Sequence, residues 1–223
     1  MSAGLPGPQA PVTSVTGAIA RMTAIDARTQ AADGLACFNR MYLQVTQDVN
    51  QELARQFFAD PDFMTRLDVV FANLYFGAVD AAAEPATVPL AWRPLIAQRA
   101  TAGIEPIQFT LAGMNAHTCT ELGTAPAAGG HLADYQKVDQ LLDLAEQSVR
   151  QSFESAPELA VDRHLQAVNS LVANWTIGSA RDLAWTNSLL LWQVRDDPVA
   201  RGLLLGGLAA ATAAASRLLL VAV

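Results

Sequence analysis

From Pro106 the chain reads Ile107-Gln108-Phe109-Thr110-Leu111-Ala112-Gly113-Met114-Asn115-Ala116-His117, a helical segment that is apolar on nearly every side. A helix with no face to give to water must be surrounded by the rest of its chain. That requirement sets a central buried helix, running from about Ile104 or Pro106 to Leu122. It also singles out the glycine, asparagine and histidine that the segment carries, because a buried helix keeps such residues for a structural or a chemical reason.

The flanking sequence supplies more helices and no strands. No stretch alternates apolar and polar residues between turn signals, and the Asp33-Gly34 pair lacks the alternating flanks of a hairpin. Ser14 is placed to cap a first helix to about Ala31. A second, to about Phe58, has Phe38, Met41, Tyr42, Val45, Val49 and Leu53 at helical spacing. Asp60-Pro61 marks the start of a third, because proline at the first helical position lacks only an N–H that would be unpaired anyway. Its expected core stripe is Phe63, Leu67, Val70, Phe71 and Leu74, with Asp68 and Tyr75 sharing another side, as do Asn73 and Asp80. A short helix follows around Trp92–Thr101. Later helices are expected from about His131 or Asp134 to Pro157, over Glu158–Val172, Thr176–Arg195 and Val199–Ala215. The reading is an all-α single-domain bundle of eight or nine helices over residues 14–223, behind a disordered lead-in at 1–13.

Composition narrows the partners. Of 223 residues, 52% are hydrophobic and only 16% charged, against roughly 25% charged in an average domain. A very apolar interior, a buried homodimer contact or a greasy-ligand pocket would each account for this. A net charge of −7 without any basic cluster excludes a nucleic-acid backbone as partner. The Gly- and Pro-rich N-terminus has no basic and apolar pattern of a signal peptide, which points to the cytoplasm. Cys37 and Cys119 fit small buried hydrophobes there. Leu203–Val223 is long enough to span a bilayer, but Gly206, Gly207, Thr212, Ser216 and Arg217 dilute it. The expectation is a buried final helix with a short apolar tail packed on the body, without stable membrane insertion.

Helical geometry then divides the central box. At about 100° per residue, Asn115 falls among Ile104, Ile107, Leu111, Thr118 and Leu122, and His117 lies roughly 160° away. Gly113 is one turn before His117 and Glu121 one turn after it. His117 with Glu121 or Asp134 is therefore the candidate acid–base set, an imidazole oriented by a carboxylate. Asn73, Tyr75, Asn115, Tyr135, Arg181 and Trp185 are candidate substrate-binding residues. Each has a plainer role. Asn115 would satisfy a neighbouring carbonyl, Gly113 would allow close packing, and Asp134 or His131 would cap the helix that follows. Arg181 with Trp185, Leu189 and Trp192 would form an aromatic core stripe under an arginine. His117, His131 and Asp134 would make a metal set only in a reading without HExxH or cysteine support, so neither metal nor other cofactor is expected.

The strings FNRMY, LDVVFANLYF, AWRPL, PIQFTLAGMNAH, HLADYQKV and NWTIGSARDLAW, closing on SRLLLVAV, resemble a group of uncharacterised bacterial proteins classed as a domain of unknown function. The resemblance runs from about Ala18 to the C-terminus. Its most specific element is the GMNAH box, Gly113–His117. The family's box continues Ile-Asn-Arg-Asp, whereas this chain has Thr118-Cys119-Thr120-Glu121, which keeps the acid in kind and lacks the asparagine and arginine. The resemblance implies an all-helical fold and a soluble final segment. The departure implies a changed activity in this member if those residues serve the family's own.

The functional expectation is a cofactor-independent enzyme, of cyclase, isomerase or lyase type, acting on an apolar small molecule in a specialised biosynthetic pathway. The alternatives are a carrier for a lipid-like ligand, whose polar box only holds helices together, and a metal-dependent hydrolase.

Overall fold

The computed structural model describes residues 7–118, the positions 134, 137, 138, 141 and 147, and residues 186–222. Helices begin where a side chain satisfies the orphaned N–H groups of the first turn. Ser14 caps α1 (Val15–Arg28) by accepting from the Gly17 N–H at 3.0 Å. Asp33 caps α2 (Gly34–Ala54) and Asp60 caps α3 (Pro61–Ala81), accepting from Leu35 and Phe63 respectively. A short α4 (Arg93–Gln98) precedes α5 (Pro106–Ala116), and Asp197 caps α6 (Pro198–Leu219).

No strand occurs among the described residues, so the chain is all-α there. Six helices are complete, and residues 186–193 add a seventh helical stretch. That is fewer than the eight or nine expected, because the segments at about 134–157 and 158–172 lie mostly outside the described residues. α2 stops at Ala54, short of the expected Phe58. Gln56 takes the left-handed conformation at φ 58°, which ends the helix and precedes a buried Phe58.

α5 is the centre of the fold, with every residue from Ile107 to Thr118 buried. Two sockets lock it to α2. A Cβ built on Gly113 would overlap the Phe38 ring, and a Cβ on Gly34 would overlap the Phe109 ring. Each helix thus gives one glycine and one phenylalanine, four residues apart, so the pair closes ring over glycine twice. The opposite side of α5 meets α6. There Asn115 Nδ2 donates to the Thr212 carbonyl (3.0 Å) and to Ser216 Oγ (3.1 Å). Gln108 Nε2 donates to the carbonyls of Leu219 (2.7 Å) and Val221 (2.9 Å), holding the C-terminal tail.

α1 packs on α2 and α3. Arg21 and Asp80 form a 2.6 Å ion pair, with the Arg21 guanidinium 4.4 Å from the Phe76 ring centre. Asn73 holds the lead-in: its Oδ1 accepts from the Val12 N–H (2.8 Å) and its Nδ2 donates to the Val12 carbonyl (2.9 Å). The segment expected to be disordered through residue 13 is therefore anchored at Val12.

Three expectations change. The buried face of α3 is Met64, Phe71, Ala72, Tyr75, Phe76 and Val79, while Val70 is exposed. This face is rotated by roughly 120° from the predicted stripe. Small alanines there admit close helix packing, and Asn39 satisfies the one polar tip, Tyr75. The final helix is not buried: Thr212, Ala213, Ser216 and Leu219 face the body, while Val199, Leu203 and Leu218 are exposed. α6 is long and apolar enough to cross a membrane by length and composition alone. Of the aromatic stripe before it, Leu189 and Trp192 are exposed and Arg195 lies over Trp192, while Arg181 and Trp185 lie outside the described residues.

Candidate functional site

His117 closes α5 as its C-cap, and with Thr118 it lies in a wider π-type turn, a local widening often found at functional sites. Its backbone N–H donates to the Gly113 and Met114 carbonyls. Its side chain leaves α5 on the side away from Asn115 and enters a shell of aromatic rings. The Tyr42 ring centre is 4.5 Å from the imidazole centre, Phe71 5.0 Å and Phe38 5.8 Å. Trp92 at 6.3 Å and Tyr75 at 6.4 Å are its further members among the described residues. Four elements meet here: α2 brings Phe38 and Tyr42, α3 brings Phe71 and Tyr75, and the start of α4 brings Trp92.

The rings also pack on one another. Phe38 sits edge-on to Tyr75 (5.2 Å) and to Trp92 (5.3 Å), the arrangement that aromatic quadrupoles favour. The Tyr75 hydroxyl donates to Asn39 Oδ1 at 3.1 Å, and Asn39 Nδ2 donates to the Met22 carbonyl at 3.0 Å. This buried chain of bonds runs from α1 through α2 to α3 and sets the Tyr75 ring. Gly113 belongs to the same construction, because only a glycine leaves room for Phe38 beside the imidazole.

One acid stands on the α3 face that carries Phe71 and Tyr75. Asp68 falls at the middle of that face by helical angle, two turns before Tyr75. Although the residue is half-buried, its Oδ2 is sealed from solvent, and no hydrogen-bond donor reaches it among the described residues. Burial pushes the carboxyl up to about 7, because a charge in an apolar setting loses its hydration. A carboxyl that keeps its proton up to about pH 7 and an imidazole are thus both supplied by helices that meet at the aromatic shell.

The other predicted residues are distributed as follows. Asp134 is buried, with Oδ1 accepting from the Ala59 N–H (2.8 Å) and Oδ2 from the Asp60 N–H (2.7 Å), and with Lys137 at 3.2 Å. It braces the corner that opens α3, rather than capping its own helix as the plainer expectation had it. Burial alone would raise its carboxyl, but the two N–H bonds and the Lys137 bond and charge outweigh that and hold it below the usual carboxylate range. Asn73 and Asn115 hold Val12 and α6. Among the described residues, Tyr75 is the predicted binding residue whose ring packs beside that of His117. Glu121, Tyr135, Arg181, Trp185 and His131 lie outside the described residues. Among the described residues no three metal-ligating side chains gather.

Sequence reading missed the shell itself. Phe38, Tyr42, Phe71 and Trp92 read as ordinary core residues, and only their convergence makes a site. Asn39 had one signal, an asparagine inside an otherwise apolar helical stripe.

A model of DUF5995, described as a family of unknown function, matches residues 15–222. No curated protein and no solved structure matches the chain.

Proposed function

We propose, for a chain that belongs to the DUF5995 family of unknown function, an enzyme that acts without a cofactor on an apolar small molecule, with His117 as its acid–base group. One observation carries the reading: the histidine of an otherwise apolar helix lies in a π-type turn, with five aromatic rings around it among the described residues. Such a shell favours apolar substrates and strengthens any proton transfer made inside it, because water is excluded. Rings also stabilise positive charge that develops on a substrate carbon, the charge expected along cyclase or isomerase routes. Tyr42 and Tyr75 add hydroxyls, and Asp68 adds a carboxyl that holds its proton well above the usual carboxylate range, on the α3 face of Tyr75.

A second reading, a carrier of a lipid-like molecule, draws on a different observation. Asn39, Gln108, Asn115 and Asp134 all bind backbone or neighbouring helices, the work expected of a polar set that only holds a bundle together.

The two readings separate in one experiment. The protein is incubated with fractionated apolar extracts in deuterated water, and each fraction is followed by mass spectrometry for conversion, deuterium uptake and capture. Conversion or deuterium uptake by the wild type, lost in His117→Gln with unchanged melting, supports the enzyme. Capture without change by both proteins supports the carrier. Neither capture nor conversion removes both readings.

A further inference from the structure

One acid is held unlike its counterparts. Asp80 pairs with Arg21 at 2.6 Å, Asp33 with Arg99 at 3.1 Å and Asp134 with Lys137 at 3.2 Å, so each of these buried or half-buried acids has a basic side chain beside it. Asp68 has no such partner among the described residues. Its Oδ2 is sealed from solvent and accepts no hydrogen bond there. A buried oxygen in that state has given up its hydration for nothing, and native folds rarely leave such a group without a reason.

The surroundings of Asp68 narrow what would complete it. The residue is half-buried, so the carboxyl can be approached from outside although Oδ2 is closed off. On the same face of α3, Phe71 follows about one turn later and Tyr75 two turns later. Both rings pack beside His117, with centres 5.0 Å and 6.4 Å from that of the imidazole. An acceptor without a donor calls for a ligand that brings N–H or O–H groups. A cationic donor suits this place best, because a charge-assisted hydrogen bond is about twice as strong as a neutral one and aromatic rings attract the same positive charge. A metal ion would need further ligands, and no three metal-ligating side chains gather among the described residues. The rest of the ligand must be apolar. Around Asp68 this face of α3 offers Met64, Phe71, Ala72 and Tyr75, and the Tyr75 hydroxyl is already bonded to Asn39.

We propose that Asp68 anchors the ammonium group of an apolar amine, whose hydrocarbon body lies along the Phe71 and Tyr75 side of α3 towards His117. The inference rests on the reading of an apolar small molecule given above and adds a basic nitrogen at one end of it. Binding exchanges one charge state for another. The ammonium keeps its protons, the Asp68 carboxyl gives its own to solvent, and an ion pair stands where a neutral acid stood.

The test is calorimetric titration of the full chain with octylamine and with octanol, which share a hydrocarbon chain and differ in the charged end. At pH 8, octylamine binds at least roughly tenfold more tightly than octanol, and Asp68→Asn removes that preference while the octanol affinity stays. At pH 6 the carboxyl of the free protein holds its proton, so octylamine binding releases close to one proton, read from the heats in two buffers of different ionisation enthalpy. Octanol releases none, and Asp68→Asn releases none with either ligand. Octanol bound as tightly as octylamine overturns the anchor and leaves the apolar-molecule reading standing. An amine preference that survives Asp68→Asn, or octylamine binding at pH 6 without proton release, overturns the anchor in the same way. Failure of the folded wild type to bind octylamine also overturns it, while conversion of an apolar extract that depends on His117 would still uphold the reading beneath.

Discussion

Asp68 sets a quantitative demand on the fold. Its carboxyl is pushed from an ordinary 3.8 up to about 7 by burial. Each tenfold change in a protonation equilibrium is about 1.4 kcal/mol, so the ionised group destabilises the folded chain by up to about 4 kcal/mol. Since Asp68 is only half-buried as a residue, solvent reaching part of it makes that figure a ceiling. The sign follows from an acid whose folded value lies above its unfolded one. Below about pH 4 both states hold the proton and Asp68 costs nothing. As the pH rises towards 7 the unfolded chain releases its proton while the folded chain retains it, and stability falls. Beyond about 7 both forms are ionised and the loss levels off. Asp68→Asn has nearly the same shape and no titration, so it isolates this contribution from every other group in the protein. Urea unfolding of both proteins between pH 4 and pH 8 measures it. The variant should match the wild type within about 1 kcal/mol near pH 4 and exceed it by about 2–4 kcal/mol at pH 8. At a urea slope of about 2–3 kcal/mol/M, the pH 8 gain moves the midpoint up by about 1–2 M. A difference that stays constant with pH, or a variant less stable than the wild type at pH 8, would refute a neutral buried carboxyl at this position.

Other expectations follow from the contacts around it. Gly113→Ala drives a methyl into the Phe38 ring, which is fully buried and has nowhere to move. The loss should be about 1–3 kcal/mol in thermal or chemical unfolding despite a gain of about 1 kcal/mol in helix propensity. Asn115→Ala strips the Thr212 carbonyl and Ser216 of a buried donor, lowers stability by about 1–3 kcal/mol, and speeds hydrogen exchange of α6 more than that of α2. Asp134→Ala leaves the Ala59 and Asp60 N–H groups and the Lys137 charge without their carboxylate, and unfolding should show a loss of about 3 kcal/mol at pH 7. Because the Asp134 carboxyl is held low, its contribution is present above the ordinary carboxylate value and disappears as the pH falls through the lower folded one. The gap between Asp134→Ala and wild type should therefore narrow in acid.

Features confined to a single helix were legible from the residues alone. Ser14 and Asp60 marked two starts, because capping is a local exchange between one side chain and the N–H groups two or three residues on. The apolar circumference of residues 106–117 required a central position. The angle between positions 115 and 117 sent Asn115 and His117 in different directions before any neighbour was known. Gly113 was legible as a point of close approach, though not which ring it would admit.

What faces what was decided by tertiary structure. The aliphatic pattern of α3 favoured the side with Leu67, Val70 and Leu74, yet the fold buries the side with Ala72, Tyr75 and Phe76, because helix packing rewards small residues at the contact and Asn39 can satisfy a buried tyrosine. That rotation places Asp68 inside and perturbs its titration. It also makes Phe71 and Tyr75 walls around His117. Asp134, a candidate to orient His117, has its two carboxylate oxygens bound to backbone N–H groups more than seventy residues away in sequence, a contact that no local pattern announces. The outward face of α6 is a tertiary outcome too: its 22 residues are apolar enough to be buried, yet only Thr212, Ala213, Ser216 and Leu219 are. Local patterns fix where helices start and stop, since those interactions span a single turn. Which face is buried depends on neighbours that only the folded chain brings together.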